Sequence, residues 1–585
     1  MFQFRSSFTT LLCSAFVSSA VWLTFPVYAA GQQDPEAATG IVQKQQVSSQ
    51  QYMVVSANPY ATEAGYQMLQ QGGSAVDAAI AIQLVLGLVE PQSSGIGGGL
   101  FMLAWQEKTK SLHTIDGRET APAAATPDWF VKDGKLLSWP QAFVGGKAVG
   151  TPGVIAALAE SHRKFGKLPW PTLFQPAIQL AQQGFKVSPR LHKLLAGSQH
   201  PGLMKFDTSR EYFFPEGKPL AIGFVRKNPA YANLLSAIAK QGPVAFYQGE
   251  NAQALVNTVN QASINPGQMT LADVSSYQPL WRDAVCAPYR TVKVCGMAPP
   301  SSGSIAVLQI LGILNQFEIS KLKPGSVDAV HVISQASRLA FADRERYAAD
   351  PAFSPVPVRG LLAQDYLKQR AAQIDLKADN AQITAGVPEG AVALGEAKAP
   401  EYANTSHLSV VDKDGNAVSM TTSIENAFGS GLMVNGYLLN NQLTDFSIEA
   451  RQNGLWVANR VEAGKRPRSS MAPMFVFDQQ NQLQMIAGSP GGSRIINYVA
   501  QSLIAMIDWQ MGPQQAADLP KFTHRNDVLA LEEGTPLVLL AGQLQDMGYK
   551  VRTTDLNSGL HLIKRSGQQW QAGADPRREG MAKGL

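Results

Sequence analysis

Thr405 to Asp412 (TSHLSVVD) and Asn416 to Ile424 (NAVSMTTSI) alternate polar and apolar residues around Lys413-Asp414-Gly415, the pattern of a β-hairpin. Two registers are open. A two-residue Asp-Gly turn pairs Lys413 with Asn416 and mixes the faces. A three-residue loop with Gly415 left-handed pairs Asp412 with Asn416, setting Leu408 opposite Met420 and Val410 opposite Val418. The second keeps one face apolar and is preferred. It also sets Thr405 opposite Ser423, with His407 and Thr421 next on the same face. A threonine that opens a strand and faces another hydroxyl can act as a nucleophile, although most strand threonines reflect β-propensity. His407 is read as satisfying local hydrogen bonds, so its change to alanine is expected to spare the chemistry.

Three further stretches carry backbone or charge chemistry. Gly488-Ser489-Pro490-Gly491-Gly492-Ser493-Arg494 follows an apolar strand, Leu483 to Ala487, and precedes a helical stretch, Ile495 to Ile507. Adjacent glycine N–H groups at such a turn can converge on a developing oxyanion; a turn without a ligand is the commoner reading. Lys465 to Met471 (KRPRSSM) sets cations beside paired hydroxyls, either a solvated loop or a carboxylate-binding corner. Gly95 to Gly99 (GIGGG) lacks the Lys-Ser/Thr of a phosphate loop and the spacing of a dinucleotide fingerprint, so a tight bend or close backbone approach is expected. The 8 histidines are scattered, no zinc site is expected, and no Gly-x-Ser-x-Gly elbow exists.

The chain that must position these residues has 585 residues, 45% hydrophobic and 16% charged, a composition that implies a large folded core. Its 49 basic and 44 acidic residues form no basic blocks, which gives no support to nucleic-acid binding. Residues 1–29 read as a signal peptide: Arg5, an apolar run from Leu11 to Leu23, Pro26, and Val27-Tyr28-Ala29 at the cleavage site. An uncleaved anchor is the alternative. No later apolar run is long enough for a membrane span, so a periplasmic or secreted protein is expected. Cys286 and Cys295 flank a Pro-Tyr-Arg-Thr turn and could bridge a hairpin. Helices are expected over Asn58 to Leu88, broken at Gly72-Gly73 with Ser74 and Asp77 forming a capping box, and over Gln309 to Leu314 and Val327 to Tyr347. Ala378 to Tyr402 has no period and reads as a mobile surface segment.

Taken together the motifs resemble those of the γ-glutamyltransferases (γ-glutamyltranspeptidases, glutathione hydrolases), members of the N-terminal-nucleophile hydrolases. The resemblance spans about Tyr52 to Gly580. Its signatures are NPYATEAG from Asn58, GGSAVDAA from Gly72, SSGIGGG from Ser93, GRETAP from Gly117, TSH from Thr405, NNQLTDF from Asn440, KRPRSSM from Lys465 and GSPGGSR from Gly488.

This resemblance implies an α+β fold, a four-layer αββα sandwich. It also implies a precursor that cuts itself between Asn404 and Thr405 into a large chain, 30–404, and a small catalytic chain, 405–585, intertwined in one globular unit. The new α-amine of Thr405, with a reference pKa of about 7.7–8.0, would serve as base to its own hydroxyl. Arg118 resembles the clamp on the substrate α-carboxylate, with Ser469 and Ser470 adding donors. Glu425, Gln442 and Asp445 would accept from the α-ammonium at the opposite end, Gly491 and Gly492 would donate to the oxyanion, and Ser423 would bond the nucleophile. The implied partners are a γ-glutamyl donor such as glutathione and an acceptor amine or water, with no cofactor and no metal.

Two positions depart from some relatives. Glu425 stands where others have Asn, and 448–464 (IEARQNGLWVANRVEAG) has few features of the lid that several relatives build there. A cephalosporin acylase acting on a glutaryl chain, and a non-catalytic binding relic, are the alternative readings. The acidic residues Glu425 and Asp445 argue against the first, and retention of Thr405, Arg118 and both glycines against the second.

Overall fold

The structure is a computed structural model that describes residues 1–3, 40–197, 200–380, 382–397 and 404–585. The expected signal peptide over 1–29 falls almost wholly outside them. The chain divides into two units, 1–33 and 34–585, and every element below belongs to the second.

In chain order, the strands of the two large sheets are β1 (Val47–Ser49), β2 (Met53–Ser56), β3 (Gly99–Gln106), β4 (Ser111–Gly117), β5 (Leu280–Arg282), β6 (Val285–Tyr289), β7 (Val292–Gly296), β8 (Asn404–Val411), β9 (Ala417–Glu425), β10 (Met474–Phe477), β11 (Leu483–Ala487), β12 (His561–Ser566), β13 (Gln569–Ala574) and β14 (Met581–Gly584). One sheet runs β14-β2-β8-β9-β3-β4-β5 and the other β1-β13-β12-β11-β10-β7-β6, antiparallel throughout. The helices that cover them include α1 (Pro59–Gln70), α2 (Ala75–Val89), α3 (Gly303–Leu314), α4 (Val327–Tyr347) and α5 (Ile495–Ile507).

Alternation along the strands separates two cores. Val54, Leu100, Met102, Leu408, Val410, Val418 and Met420 pack outward with α1 and α2. Met53, Val55, Phe101, Leu103 and Val411 face inward toward Phe475, Val476, Ile486 and Ile563 of the second sheet, in a core that also includes α3, α4 and α5. The result is the αββα order of layers, an α+β fold.

The β8–β9 hairpin adopts the apolar-faced register. Leu408 pairs with Met420, Val410 with Val418, His407 with Thr421 and Thr405 with Ser423. Gly415 has φ 81°, and Asp412 N–H bonds Asn416 O at 2.9 Å. Ser74 and Asp77 form the capping box of α2. Cys286 and Cys295 are disulfide-bonded across the paired strands β6 and β7, around a tighter Arg290-Thr291 turn than expected. Gly97 and Gly98 abut the Leu438 and Ser423 carbonyls, the close backbone approach expected of GIGGG.

The expected mobile tract is different over 382–397. Ala385, Leu394 and Ala397 are buried. Gly386 N–H bonds Asp343 Oδ1 at 2.8 Å, Ala397 N–H bonds Glu345 O at 2.8 Å, and Gly395 N–H bonds Trp456 O at 3.0 Å. The tract is anchored at Gly386 and at 395–397 to α4 and the 448–464 segment, while Val387 and Val392 between them are exposed. That segment forms a small hairpin, Arg451–Gln452 against Leu455–Trp456, whose indole lies 3.5 Å from Arg451 and 4.8 Å from Arg460.

Candidate active site

Thr405 lies buried on the inward face of β8, at a break in the regular pairing between Asn404 and Thr405. Its Oγ1 donates to Ser423 Oγ at 3.2 Å. Ser423 Oγ in turn donates to the Asn404 carbonyl oxygen at 2.8 Å and accepts from the Glu425 N–H at 2.8 Å. The hydroxyl, its neighbour and the carbonyl one bond upstream therefore form a continuous chain of hydrogen bonds around an intact Asn404–Thr405 peptide. Ser93 Oγ steadies the Asn404 side chain at 3.0 Å. Glu425 holds a left-handed φ of 77°, a strained conformation for a residue with a side chain, and it is this bend that aims its N–H back at Ser423.

Arg118, Thr405, Ser423, Glu425, Gln442, Asp445, Ser469, Ser470 and Gly492 line one narrow cleft with room for about 20 Å³, the scale of a single water molecule. The sequence reading thus names nearly the whole wall. Gly491 stands one residue behind it, its Cα against the Tyr498 ring.

Arg118 is fully buried at the end of β4. Its Nε donates to Pro467 O at 3.1 Å, and Nη2 to Arg468 O at 2.8 Å and to Asp445 Oδ2. Gln442 Nε2 donates to the same Asp445 oxygen at 2.8 Å. Among the described residues, Arg118 Nη1 and Gln442 Oε1 have no hydrogen-bond partner: one buried donor and one buried acceptor. The two charges expected at opposite ends are in fact adjacent. Arg118 and Asp445 form one buried ion pair at the cleft wall.

The solvated-loop reading of KRPRSSM is overturned, because Lys465, Arg466, Arg468, Ser469 and Ser470 are all buried. Lys465 Nζ bonds Ala458 O at 2.7 Å, and Arg466 pairs with Asp116 at 2.8 Å. These cations brace the corner while the two serines face the cleft. At the other wall, Gly491 (φ 136°) and Gly492 (φ 55°) turn the chain from β11 into α5 in conformations that favour glycine. Among the described residues neither of their N–H groups donates a hydrogen bond within the protein.

Two residues of the site are not singled out by sequence. Arg344, on α4, donates to Ser470 Oγ at 2.7 Å and Ser302 Oγ at 2.8 Å. Glu119, next to Arg118 in GRETAP, is fully buried, with Oε2 3.6 Å from Arg118 Nη1 and neither oxygen hydrogen-bonded. Burial pushes its carboxyl up to about 8 against the pull of Arg118. Its carboxylate sits over Gly99, the residue paired with Ser423, in space that any side chain there would fill. His407 is buried, bonded to Thr421 Oγ1 at 2.9 Å and Ser409 Oγ at 3.2 Å, and held well below its usual pKa by burial and by His561. It is not a base for Thr405. A larger cavity of about 510 Å³, lined by Tyr277, Arg282, Asp350 and Arg466 among others, contains none of the expected site residues. Among the described residues no cluster of His, Cys, Asp or Glu could hold a metal, and no helix is long and apolar enough to cross a membrane.

Residues 61–585 match the sequence profile of the family described as Gamma-glutamyltranspeptidase. The chain is 36% identical over 552 residues to a glutathione hydrolase proenzyme of Bacillus subtilis, covering 91% of each, and 37% identical over 497 residues to that of Escherichia coli, covering 83% of this chain and 84% of the other. Its fold superposes on a cephalosporin acylase from Bacillus halodurans with a TM-score of 0.82 at 28% identity, covering 94% of this chain and 99% of the other.

Proposed function

The chain belongs to the gamma-glutamyltranspeptidase family, and from that premise we propose how its own residues perform the reaction. It is a γ-glutamyltransferase that cleaves γ-glutamyl amides such as glutathione and passes the acyl group to water or to an amine. Thr405 is the nucleophile in both maturation and turnover.

In maturation Thr405 Oγ1 bonds the Asn404 carbonyl carbon. Its proton passes to Ser423 Oγ while the Ser423 proton passes to the carbonyl oxygen, so a neutral tetrahedral centre forms without a separate base. Cleavage of the C–N bond, with a proton delivered to nitrogen, leaves an ester and a free α-amine. Water hydrolyses the ester, giving chains 30–404 and 405–585. The observation that carries this reading is the unbroken Thr405, Ser423, Asn404 chain of hydrogen bonds.

In turnover the neutral α-amine takes the Thr405 proton as the oxygen attacks the γ-carbonyl, and the Gly491 and Gly492 N–H groups receive the oxyanion. Arg118, with Ser469 and Ser470, binds the donor α-carboxylate; Asp445, Gln442 and Glu425 accept from the ammonium. The adjacent Arg118–Asp445 pair favours γ-glutamyl over glutaryl donors. A glutaryl chain brings a carboxylate to Arg118 but no ammonium to the acceptors Asp445, Gln442 and Glu425 beside it, and so forgoes those charge-assisted hydrogen bonds. The signal-like segment 1–29 and the Cys286–Cys295 disulfide support export to the periplasm or medium.

Gel electrophoresis and amino-terminal sequencing test the maturation step. Wild type should give two chains, the smaller beginning at Thr405, and Thr405→Ala one uncut and inactive chain; an active unbroken polypeptide would overturn the proposal. A clear preference for a glutaryl anilide over its γ-glutamyl counterpart would overturn the substrate assignment.

A further inference from the structure

We infer that His407 is a positioning residue whose ring spaces the nucleophile strand from the glycine loop 488–492, and so sets where the oxyanion donors stand relative to Thr405. This inference rests on the catalytic reading above and goes beyond it.

His407 and Thr405 share the inward face of β8, two residues apart. The His407 ring is packed against Gly488, so close that a Cβ there would come within 2.0 Å of Cε1 and 2.4 Å of each ring nitrogen. Gly488 opens the loop that carries Gly491 and Gly492. The ring is fixed by Thr421 Oγ1 at 2.9 Å on one nitrogen and by Ser409 Oγ at 3.2 Å on the other. Ser409 Oγ donates to His561 O at 2.9 Å, and His561 N–H donates to Gly488 O at 3.1 Å, which closes the circuit back on the loop. Ser419, also on the inward face, donates to Ala487 O at 3.3 Å. Beyond the glycine the loop is held by Gly559 N–H on Ser489 Oγ at 3.1 Å and by the Tyr498 ring under Gly491.

The ring therefore acts as a spacer between two sheets at the point where one supplies the attacking oxygen and the other the N–H groups. Maturation does not depend on this spacing, because the Asn404 carbonyl oxygen already accepts from Ser423 Oγ, a group on the same hairpin as Thr405. Turnover does depend on it. Where the sequence reading expects His407→Ala to spare the chemistry, the geometry separates the two steps.

The test is a size exchange with two readouts. Gly488→Ala and His407→Ala, made singly and together in the full chain, are followed by gel for self-cleavage and by steady-state kinetics on a γ-glutamyl anilide. Both single variants should mature to two chains beginning at Thr405, with kcat reduced at least tenfold and KM within about threefold, since a misplacement of about 1 Å costs up to about a hundredfold. The double variant should regain at least threefold in kcat over Gly488→Ala, because removing the ring makes room for the new methyl group. The pH profile of kcat should keep its midpoint, as a spacer exchanges no proton. A double variant no better than Gly488→Ala, a fall confined to KM, or a shifted pH midpoint would overturn the inference. Should Gly488→Ala not accumulate, His407→Ala, which opens a cavity instead of a clash, decides alone: unchanged kcat, or loss of self-cleavage, overturns it. Failure of the catalytic reading would show separately, as turnover by Thr405→Ala.

Discussion

Glu119 gives the site a pH response that belongs to one carboxyl. It faces Arg118 at 3.6 Å, with Asp445 and Asp116 as the other charges acting on it, and burial raises it to about 8. Below that value it is neutral and leaves the guanidinium to the substrate and to Asp445. Above it a second negative charge competes for Arg118. The KM for a γ-glutamyl donor is therefore expected to rise about threefold to tenfold as pH climbs through about 8, and Glu119→Gln should remove that rise until the donor amine itself titrates. Initial rates across pH 6.5–9 on both proteins check it; the same KM profile in each would refute the assignment. Glu119 is invisible in sequence as a functional group because its role comes from burial and from a glycine, Gly99, contributed by another strand. Thr405 facing Ser423 and the adjacent glycines were visible as local patterns, whereas Arg118 entered only through the resemblance carried by GRETAP. Arg344 was not, since it reaches Ser470 from 126 residues away.

At the scale of elements the β8–β9 hairpin is held by its own loop chemistry. Asp412 Oδ1 accepts from Asp414 N–H and Asn416 N–H, each at 3.0 Å, and Oδ2 from Ala75 N–H at 3.1 Å, at the start of α2. One buried carboxylate thus fixes the turn, the register and the docking of the helix above it. Asp412→Ala leaves these donors without an acceptor and should lower stability by roughly 2–4 kcal/mol, with slower self-cleavage because the register aligns Thr405 with Ser423. Urea unfolding and a time course of maturation measure the two effects; a loss below about 0.5 kcal/mol would contradict the account. The register was legible because only one pairing keeps Leu408, Val410, Val418 and Met420 on one face. The course of 382–397 was not, because its anchors are backbone groups meeting α4 and the 451–456 hairpin, which leave no periodic trace. The small hairpin of 448–464 docks on that tract: its Gln452 side chain accepts from Glu396 N–H, its Trp456 carbonyl from Gly395 N–H, and none of its residues is among those lining the cleft.

Across the whole molecule the fold buries imidazoles without room to charge, His407 and His561 between the two sheets and His200 and His524 elsewhere. Burial lowers His200 to about 4 and His524 and His561 to about 3, and holds His407 well below its usual value. The sign follows from linkage. Each of these histidines is neutral in the fold but takes up a proton in the unfolded chain below about pH 6.5, so its contribution is present in full above that pH and is lost as pH falls. Each adds a slope of about 1.4 kcal/mol per pH unit, and four together make acid a steep denaturant well before most carboxylates titrate. Glu119 acts with the opposite sign, favouring the fold less as pH rises from about 4.5 to about 8, as do Asp343, Asp412 and Asp518, whose carboxyls burial also raises. Guanidinium midpoints measured between pH 4.5 and 7 should therefore fall below about 6.5, with a net uptake of protons on unfolding near pH 5.5. His561→Gln, which keeps a polar side chain of similar length but cannot take the proton, should reduce that uptake by about one. No net uptake in the wild type would show that these histidines charge freely in the folded protein, against their burial.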